Sequence, residues 1–144
     1  MAKHKEQNFS NHIRLVPGYH YLTYGIVGAG LSLTCYWACT IPFSTEITAV
    51  LVLNSLALGL GLFYSRLFAL RAQDRAIRAE ENFRYFILTG KRLPVELRLG
   101  QIIALRFASD EEFVELVDEA LEQNLKSKQI KMAIKNWRGD YHRV

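Results

Sequence analysis

Apolar positions in this chain are gathered rather than spread. Two runs, residues 21–41 and 47–70, carry no charged side chain before Arg66 and are joined only by Pro42-Phe43-Ser44-Thr45-Glu46. A hydrocarbon core of about 30 Å takes roughly 20 apolar residues at 1.5 Å per helical residue, so each run is long enough to span. The pattern predicts an antiparallel two-helix transmembrane hairpin, with spans at about 21–41 and 47–68. Tyr19, Tyr21 and Tyr24 open the first run, and Tyr36 and Trp37 lie near its end. Such rings suit the headgroup boundaries.

The second run does not stop at the membrane. After Gly61 no Gly or Pro occurs until Gly90, which is placed to terminate a helix as its C′ residue, with Pro94 beyond. A helix over 47–88 is about 63 Å long, and half of it forms a stalk. On that stalk Ala69, Ala72, Ala76, Ala79, Phe83 and Phe86 recur at spacings of three and four, a heptad seam extending back through Ser65, Leu62 and Leu58. Small residues on a seam favour close approach of another helix. Asp74 with Arg78 and Glu80 with Arg84 are i,i+4 acid-to-base pairs and read as a solvated surface.

Beyond Gly90 the pattern shortens. Residues 95–99 alternate like a strand but also suit the start of a helix. Residues 101–107 read as a short helix burying Ile102, Ile103, Leu105 and Phe107. Ser109 with Glu112 three residues later is a capping-box pattern opening a helix over about 110–124, with Phe113, Leu116, Val117, Ala120 and Leu121 inward. Ser127 is the expected cap of a last helix, in which Ile130, Ala133, Ile134 and Trp137 share one face and which Gly139 ends. The expected fold class is therefore an all-α membrane protein. Residues 1–18 form an N-terminal tail, 19–68 the hairpin, 69–90 the stalk and 91–144 a helical C-terminal cap. A cap of this size is marginal alone and is expected to lean on the stalk or a partner.

Within the spans, small residues recur four apart: Gly25 with Ala29, Gly28 with Ser32, Ser55 with Gly59 and Ala57 with Gly61. In lipid, helices associate where such residues let backbones approach. Gly25, Gly28, Ala29, Ser55 and Gly59 are accordingly the expected packing positions. Asn54 is a carboxamide deep in the second span that needs a partner, and Ser32 or Thr34 across the hairpin is the expected one. Cys35 and Cys39 share one helix face and read as small packing residues, with a disulfide between two copies as the alternative.

Charge sets the orientation. The net charge of +4 divides into +2 over residues 1–18, −1 over 19–65, +5 over 66–106 and −2 over 107–144. Lys3, Lys5 and Arg14 precede the spans, Arg66, Arg71, Arg75 and Arg78 follow them, and the connecting turn has no basic residue. By the positive-inside bias both termini are expected on the cytoplasmic side of an inner membrane. A cleaved signal peptide is the poorer reading, because the first run begins late and is of full span length.

Candidate chemistry is thin. His4, His12, His20 and His142 are scattered with no ligand spacing, so no metal or cofactor is implied. The glycines of the first span lie inside an apolar helix and not at a strand-to-helix turn, which removes a nucleotide loop. No catalytic residue is proposed. Lys126, Lys128, Lys131, Lys135 and Arg138 follow seven acids between Asp110 and Glu122, an arrangement that argues against nucleic acid and suggests two helices with mutually attracting charged faces.

Leu105-Arg106-Phe107-Ala108-Ser109-Asp110-Glu111-Glu112, Ile134-Lys135-Asn136-Trp137-Arg138, Asp140-Tyr141-His142-Arg143 and Ala69-Leu70-Arg71 with Gln73-Asp74-Arg75 resemble a family of small bacterial two-span membrane proteins known as a domain of unknown function. The resemblance covers nearly the whole chain and implies no activity. It marks Arg106, Ser109, Asp110, Trp137 and Asp140 as places to look, with Arg106 and Asp140 a candidate structural ion pair.

The function expected is a membrane-anchored, non-catalytic interaction module or accessory subunit that contacts lipid and a protein partner or second copy. Its candidate contact residues are Ala69, Ala72, Ala76, Ala79, Phe83 and Phe86 on the seam, with Asp118 and Glu122 on the acidic helix. The alternative is a small lipid- or quinone-handling enzyme or redox accessory working at the headgroup level through His20, Tyr21 and the basic region.

Overall fold

The computed structural model describes residues 6–12, 15–40 and 44–140. Most of these are helical, and no strand occurs among them. The sequence expectations for His4, His142, Arg14 and the Pro42-Phe43 part of the turn lie outside the described residues. Two compact units form: residues 14–70, and residues 71–144 together with the N-terminal 1–13.

In the first unit a π-helical turn, Gly18–Thr23, leads directly into α1 (Tyr24–Thr40), and α2 (Thr45–Thr89) begins after the connection. Helix thus starts a few residues before the predicted 21, immediately after Pro17, whose φ of −56° suits a helix start. The Thr23 hydroxyl donates to the Gly18 carbonyl five residues back, at 2.9 Å. Gly18–Thr40 and Thr45–Thr89 are both long and apolar enough to cross a membrane. Their leucines and isoleucines face outward: Leu22, Ile26, Leu53 and Leu58 are each more than 60% exposed. Side chains of this kind stabilise a fold only when something apolar covers them.

The residues around these two helices make one polar contact of note. The Tyr19 hydroxyl donates to the Leu62 carbonyl at 2.7 Å, and the Arg66 guanidinium sits 5.9 Å from the Tyr19 ring centroid. No Cα of α1 comes within 8 Å of one in α2. Asn54 corrects the expectation of a cross-helix clasp. Its Nδ2 donates to the Val50 carbonyl of its own helix at 2.9 Å, while Ser32 and Thr34 bond back to Gly28 and Gly30. A side chain that finds an acceptor one turn away needs none in a second helix.

In the second unit α2 runs to Thr89 and stops as predicted at Gly90, whose φ is +70° and whose N–H reaches the Phe86 carbonyl at 2.8 Å. That is the left-handed cap a glycine adopts without steric cost. Residues 95–97 form a turn and not a strand, and the next helix is α3 (Leu99–Leu105), two residues earlier than predicted. α4 (Asp110–Glu122) and α5 (Ser127–Ala133) complete the cap. α4 ends in a Schellman turn: Asn124 has φ 50°, its N–H meets the Leu121 carbonyl at 3.3 Å, and the Leu125 N–H meets that of Ala120 at 3.1 Å. Phe107, Phe113, Ile102, Leu105, Ile130 and Val117 are fully buried, so the predicted inward faces of α3 and α4 build the core; Ile103 and Leu121 are only partly covered.

Three local readings are corrected. Ser109 precedes α4 as expected, but its hydroxyl caps nothing; Glu112 reaches away to accept from the Lys135 and Asn136 N–H groups at 3.1 and 3.0 Å. Lys126, not Ser127, is the residue before α5, and Gln129 accepts its N–H at 2.7 Å. Lysine has no acceptor, so only this half of a capping box exists. The Ser127 hydroxyl instead donates to the Gly100 carbonyl at 2.8 Å, across an approach so close that a Cβ on Gly100 would lie 2.9 Å from it. Finally, α5 ends at Ala133, because Ile134 turns extended at ψ 121° and Trp137 bridges Ala108. Backbone bonds from Ser109 to Asn136 (3.0 Å) and from Arg138 to Phe107 (2.7 Å) outcompete another helical turn.

Candidate functional site

The part of α2 within the second unit has two faces of opposite character. Ile77, Glu81, Arg84 and Tyr85 are buried against the cap, and Tyr85 meets the Phe113 ring edge-on at 6.2 Å between centroids. Arg84 is the hub. Its Nε donates to Asp110 at 2.6 Å, one terminal nitrogen to Glu81 at 3.1 Å and the other to the Ala108 carbonyl at 2.8 Å, while the guanidinium lies 4.2 Å from the Phe113 ring centroid. The predicted surface pair of Glu80 with Arg84 is thereby corrected: arginine is drawn inward to a carbonyl and a carboxylate that would otherwise be buried unpaired. Asp74 and Arg78 form no ion pair with each other either. Burial pushes the Glu81 carboxyl above its ordinary 4.5, and Arg84 pulls it partly back.

A second buried cation supports the cap's far end. Arg106 pairs with Asp140 at 3.1 Å, the ion pair suggested by the sequence, and stacks 4.7 Å from the Phe107 centroid. Burial lowers the guanidinium's proton affinity and Asp140 raises it. The N-terminal stretch read as a tail is laid on this end. Gln7 pairs with the Asp140 backbone at 2.9 and 3.2 Å, and His12 packs against both Phe107 and Trp137 with Lys131 3.1 Å from its Nε2. His12 Nδ1 faces the Phe9 carbonyl at 2.8 Å, so it donates there and Nε2 accepts from Lys131.

The other α2 face is bare. Ala72, Ala76 and Ala79 are exposed, and Phe83, Phe86 and Ile87 are 65%, 52% and 66% exposed. Ala69, in the first unit, is exposed too. On α4, Glu111, Glu115, Asp118 and Glu122 face solvent; none pairs with Lys126, Lys128, Lys135 or Arg138 within 4.0 Å. The expected attraction of two charged helix faces is therefore not made through ion pairs at these four basic residues. Gly25, Gly28 and Gly59 face open space, Ala29 is exposed and Ser55 is half-covered, bonding back to Leu51. The structure does not bring these small residues into a close seam within one chain.

Two open clefts flank α2 in the second unit. One, of about 350 Å³, is lined by Arg75, Arg78, Asn82 and Arg92; the other, of about 360 Å³, by Glu80, Phe83, Ile87 and Arg138 among others. His20 and Tyr21 line neither. His20 Nδ1 lies 3.0 Å from the Val16 backbone, and Cys35 and Cys39 are free and exposed. No group of His, Cys, Asp and Glu among the described residues is arranged to hold a metal.

With no reacting constellation in view, comparison with known proteins decides the identity. The pattern of a family of unknown function, DUF6526, matches residues 1–144. The chain belongs to that family. No curated protein and no solved structure matches it. DUF6526 membership agrees with the resemblance carried by the words around Arg106 and Trp137, and it assigns no chemistry. In this DUF6526 chain those residues are structural: Trp137 bridges Ala108 and stacks on Phe107, and Arg106 holds Asp140. Sequence reading missed Arg84. The signal was its place at i+7 from Ile77 and beside Tyr85, on the stripe that a helix buries.

Proposed function

We propose that this DUF6526 protein is a non-catalytic, membrane-anchored interaction module, an accessory subunit of a membrane complex or a self-associating scaffold. Its two apolar helices form a hairpin in the cytoplasmic membrane, both termini are cytoplasmic, and the bare face of α2 takes a protein partner or a second copy. The observation that carries the reading is that face. Phe83, Phe86 and Ile87 stand more than half exposed beside Ala72, Ala76 and Ala79, on a helix whose opposite side is already packed. Large apolar side chains grouped so are a cost to a monomer in water and a gain when covered. The acidic side of α4, with Asp118 and Glu122, offers a second, charge-selective contact.

The test is native mass in mild detergent together with a pull-down from native membranes, for wild type and Ala76→Glu. The substitution places a charge in the seam without touching the buried face. Loss of the higher-mass assembly with unchanged membrane insertion is the expected result; an assembly of unchanged mass and composition overturns the assignment of the seam.

A further inference from the structure

The cleft lined by Arg75, Arg78 and Arg92 is built by a turn, not by chance crowding of a surface. Arg75, Arg78, Ala79 and Asn82 stand at i, i+3, i+4 and i+7 of α2 and so form one stripe. Gly90, in its left-handed conformation, reverses the chain, and the Leu93 N–H donates to Asn82 Oδ1 at 2.9 Å. That bond pins the returning strand of chain to the stripe and sets Arg92 on the opposite wall. The short side chain of Ala79 leaves the space between, about 350 Å³.

The chemistry of the walls is one-sided. No carboxylate lines the cleft, and Arg75, Arg78 and Arg92 form no ion pair among the described residues. By contrast, the buried arginines of the same unit, Arg84 and Arg106, both hold acids. Three like charges around one recess repel one another, and an anion relieves that repulsion. Guanidinium forks match the oxygens of a phosphate two at a time, and the volume falls in the range of small-molecule sites. One wall is apolar: Leu93 is buried and Val95 is 82% exposed at the rim.

We infer that this cleft binds a phosphate-bearing anion, gripped by Arg75, Arg78 and Arg92, with its less polar portion against Val95. The chemistry is shared by a soluble phosphoester and by the headgroup of an anionic phospholipid. The cleft shares only Ala79 with the partner-binding seam, and its three arginines lie outside that seam, so loss of assembly in Ala76→Glu leaves this inference standing.

The experiment uses the full chain in neutral detergent. Inorganic phosphate is titrated calorimetrically, and native mass spectrometry follows retention of phosphatidylglycerol against phosphatidylcholine from mixed micelles. Saturable binding of phosphate, or retention of one phosphatidylglycerol in preference to phosphatidylcholine, is expected. Arg78→Gln with Arg92→Gln should weaken it at least tenfold, and Arg71→Gln, exposed but outside the cleft, less than twofold. Ala79→Leu, which fills the recess without changing charge, should weaken it comparably and guards against a misfolded double variant. Phosphate binding alone assigns a soluble ligand, and phosphatidylglycerol alone assigns a lipid. Absence of saturable binding of either probe overturns the site, as does an equal loss in Arg71→Gln, which would reduce the effect to bulk charge.

Discussion

Arg84 shows how a single side chain can hold an element in place. Its guanidinium and the Glu81 carboxylate are 10% and 8% exposed, whereas Asp110 is 61% exposed. The bond to Asp110 is consequently screened and contributes little, and the consequence of losing Arg84 falls on Glu81 and the Ala108 carbonyl. Arg84→Leu should destabilise the second unit by about 3–5 kcal/mol, as expected when one member of a buried pair is removed. Glu81→Leu combined with Arg84→Leu should recover part of that loss, since no charge is left buried while the Ala108 carbonyl still lacks its donor. Denaturant melts of the three proteins in the same detergent read the ranking, and equal losses in the single and double variants would refute the buried-charge account. Glu81 also sets a pH dependence. Because burial raises its pKa in the fold above the ordinary 4.5, the folded state holds the proton more tightly than the unfolded chain. Its contribution is therefore most favourable at low pH and is lost as pH rises from about the ordinary value through the raised one. Wild type should lose stability relative to Glu81→Gln across that interval; a pH-independent difference would count against it.

At the scale of elements, helix ends are where local rules and tertiary contacts compete. Gly90 and Asn124 follow the local rule, each taking the left-handed conformation that closes a helix. The start of α4 does not. Glu112 serves the backbone of residues 135 and 136, and Ser109 is held through its own N–H to the Asn136 carbonyl. Glu112→Ala should thus cost about 1–2 kcal/mol and loosen the segment after α5, while Ser109→Ala should stay within about 0.5 kcal/mol because its hydroxyl caps no backbone N–H of the helix. Thermal melts, with hydrogen exchange at residues 134–138, distinguish the two. A larger effect at Ser109 would restore the capping box. The same exchange explains the end of α5: two carbonyl bonds to residues 107 and 109 replace the helical turn that Ile134 and Trp137 were spaced to form.

For the whole molecule the governing quantity is apolar length. Two helices with outward leucines have no cover in water, and the interval between Arg14 and Arg66 without a lysine or arginine is the basis on which the proposed hairpin has its turn on the far side of the membrane. In a background lacking Cys35 and Cys39, Ser44→Cys should label from outside intact cells and Lys128→Cys only after the cytoplasmic side is opened. Both positions are exposed. The reverse pattern would invert the topology.

Periodicity and composition alone located both long helices, the stop at Gly90 and the inward faces of α3 and α4. These are set by local physics: the length of an apolar run, the conformational freedom of glycine and the repeat of a helix. What tertiary structure decided lies between segments distant in sequence. It drew Arg84 inward to Ala108 and Asp110, ended α5 early so that Trp137 could bridge Ala108, laid Gln7 and His12 on the cap, and folded Arg92 back opposite Arg75 and Arg78. None of these contacts has a local signature, because each depends on where a second stretch of backbone presents its polar groups, and that is known only once the chain has closed on itself.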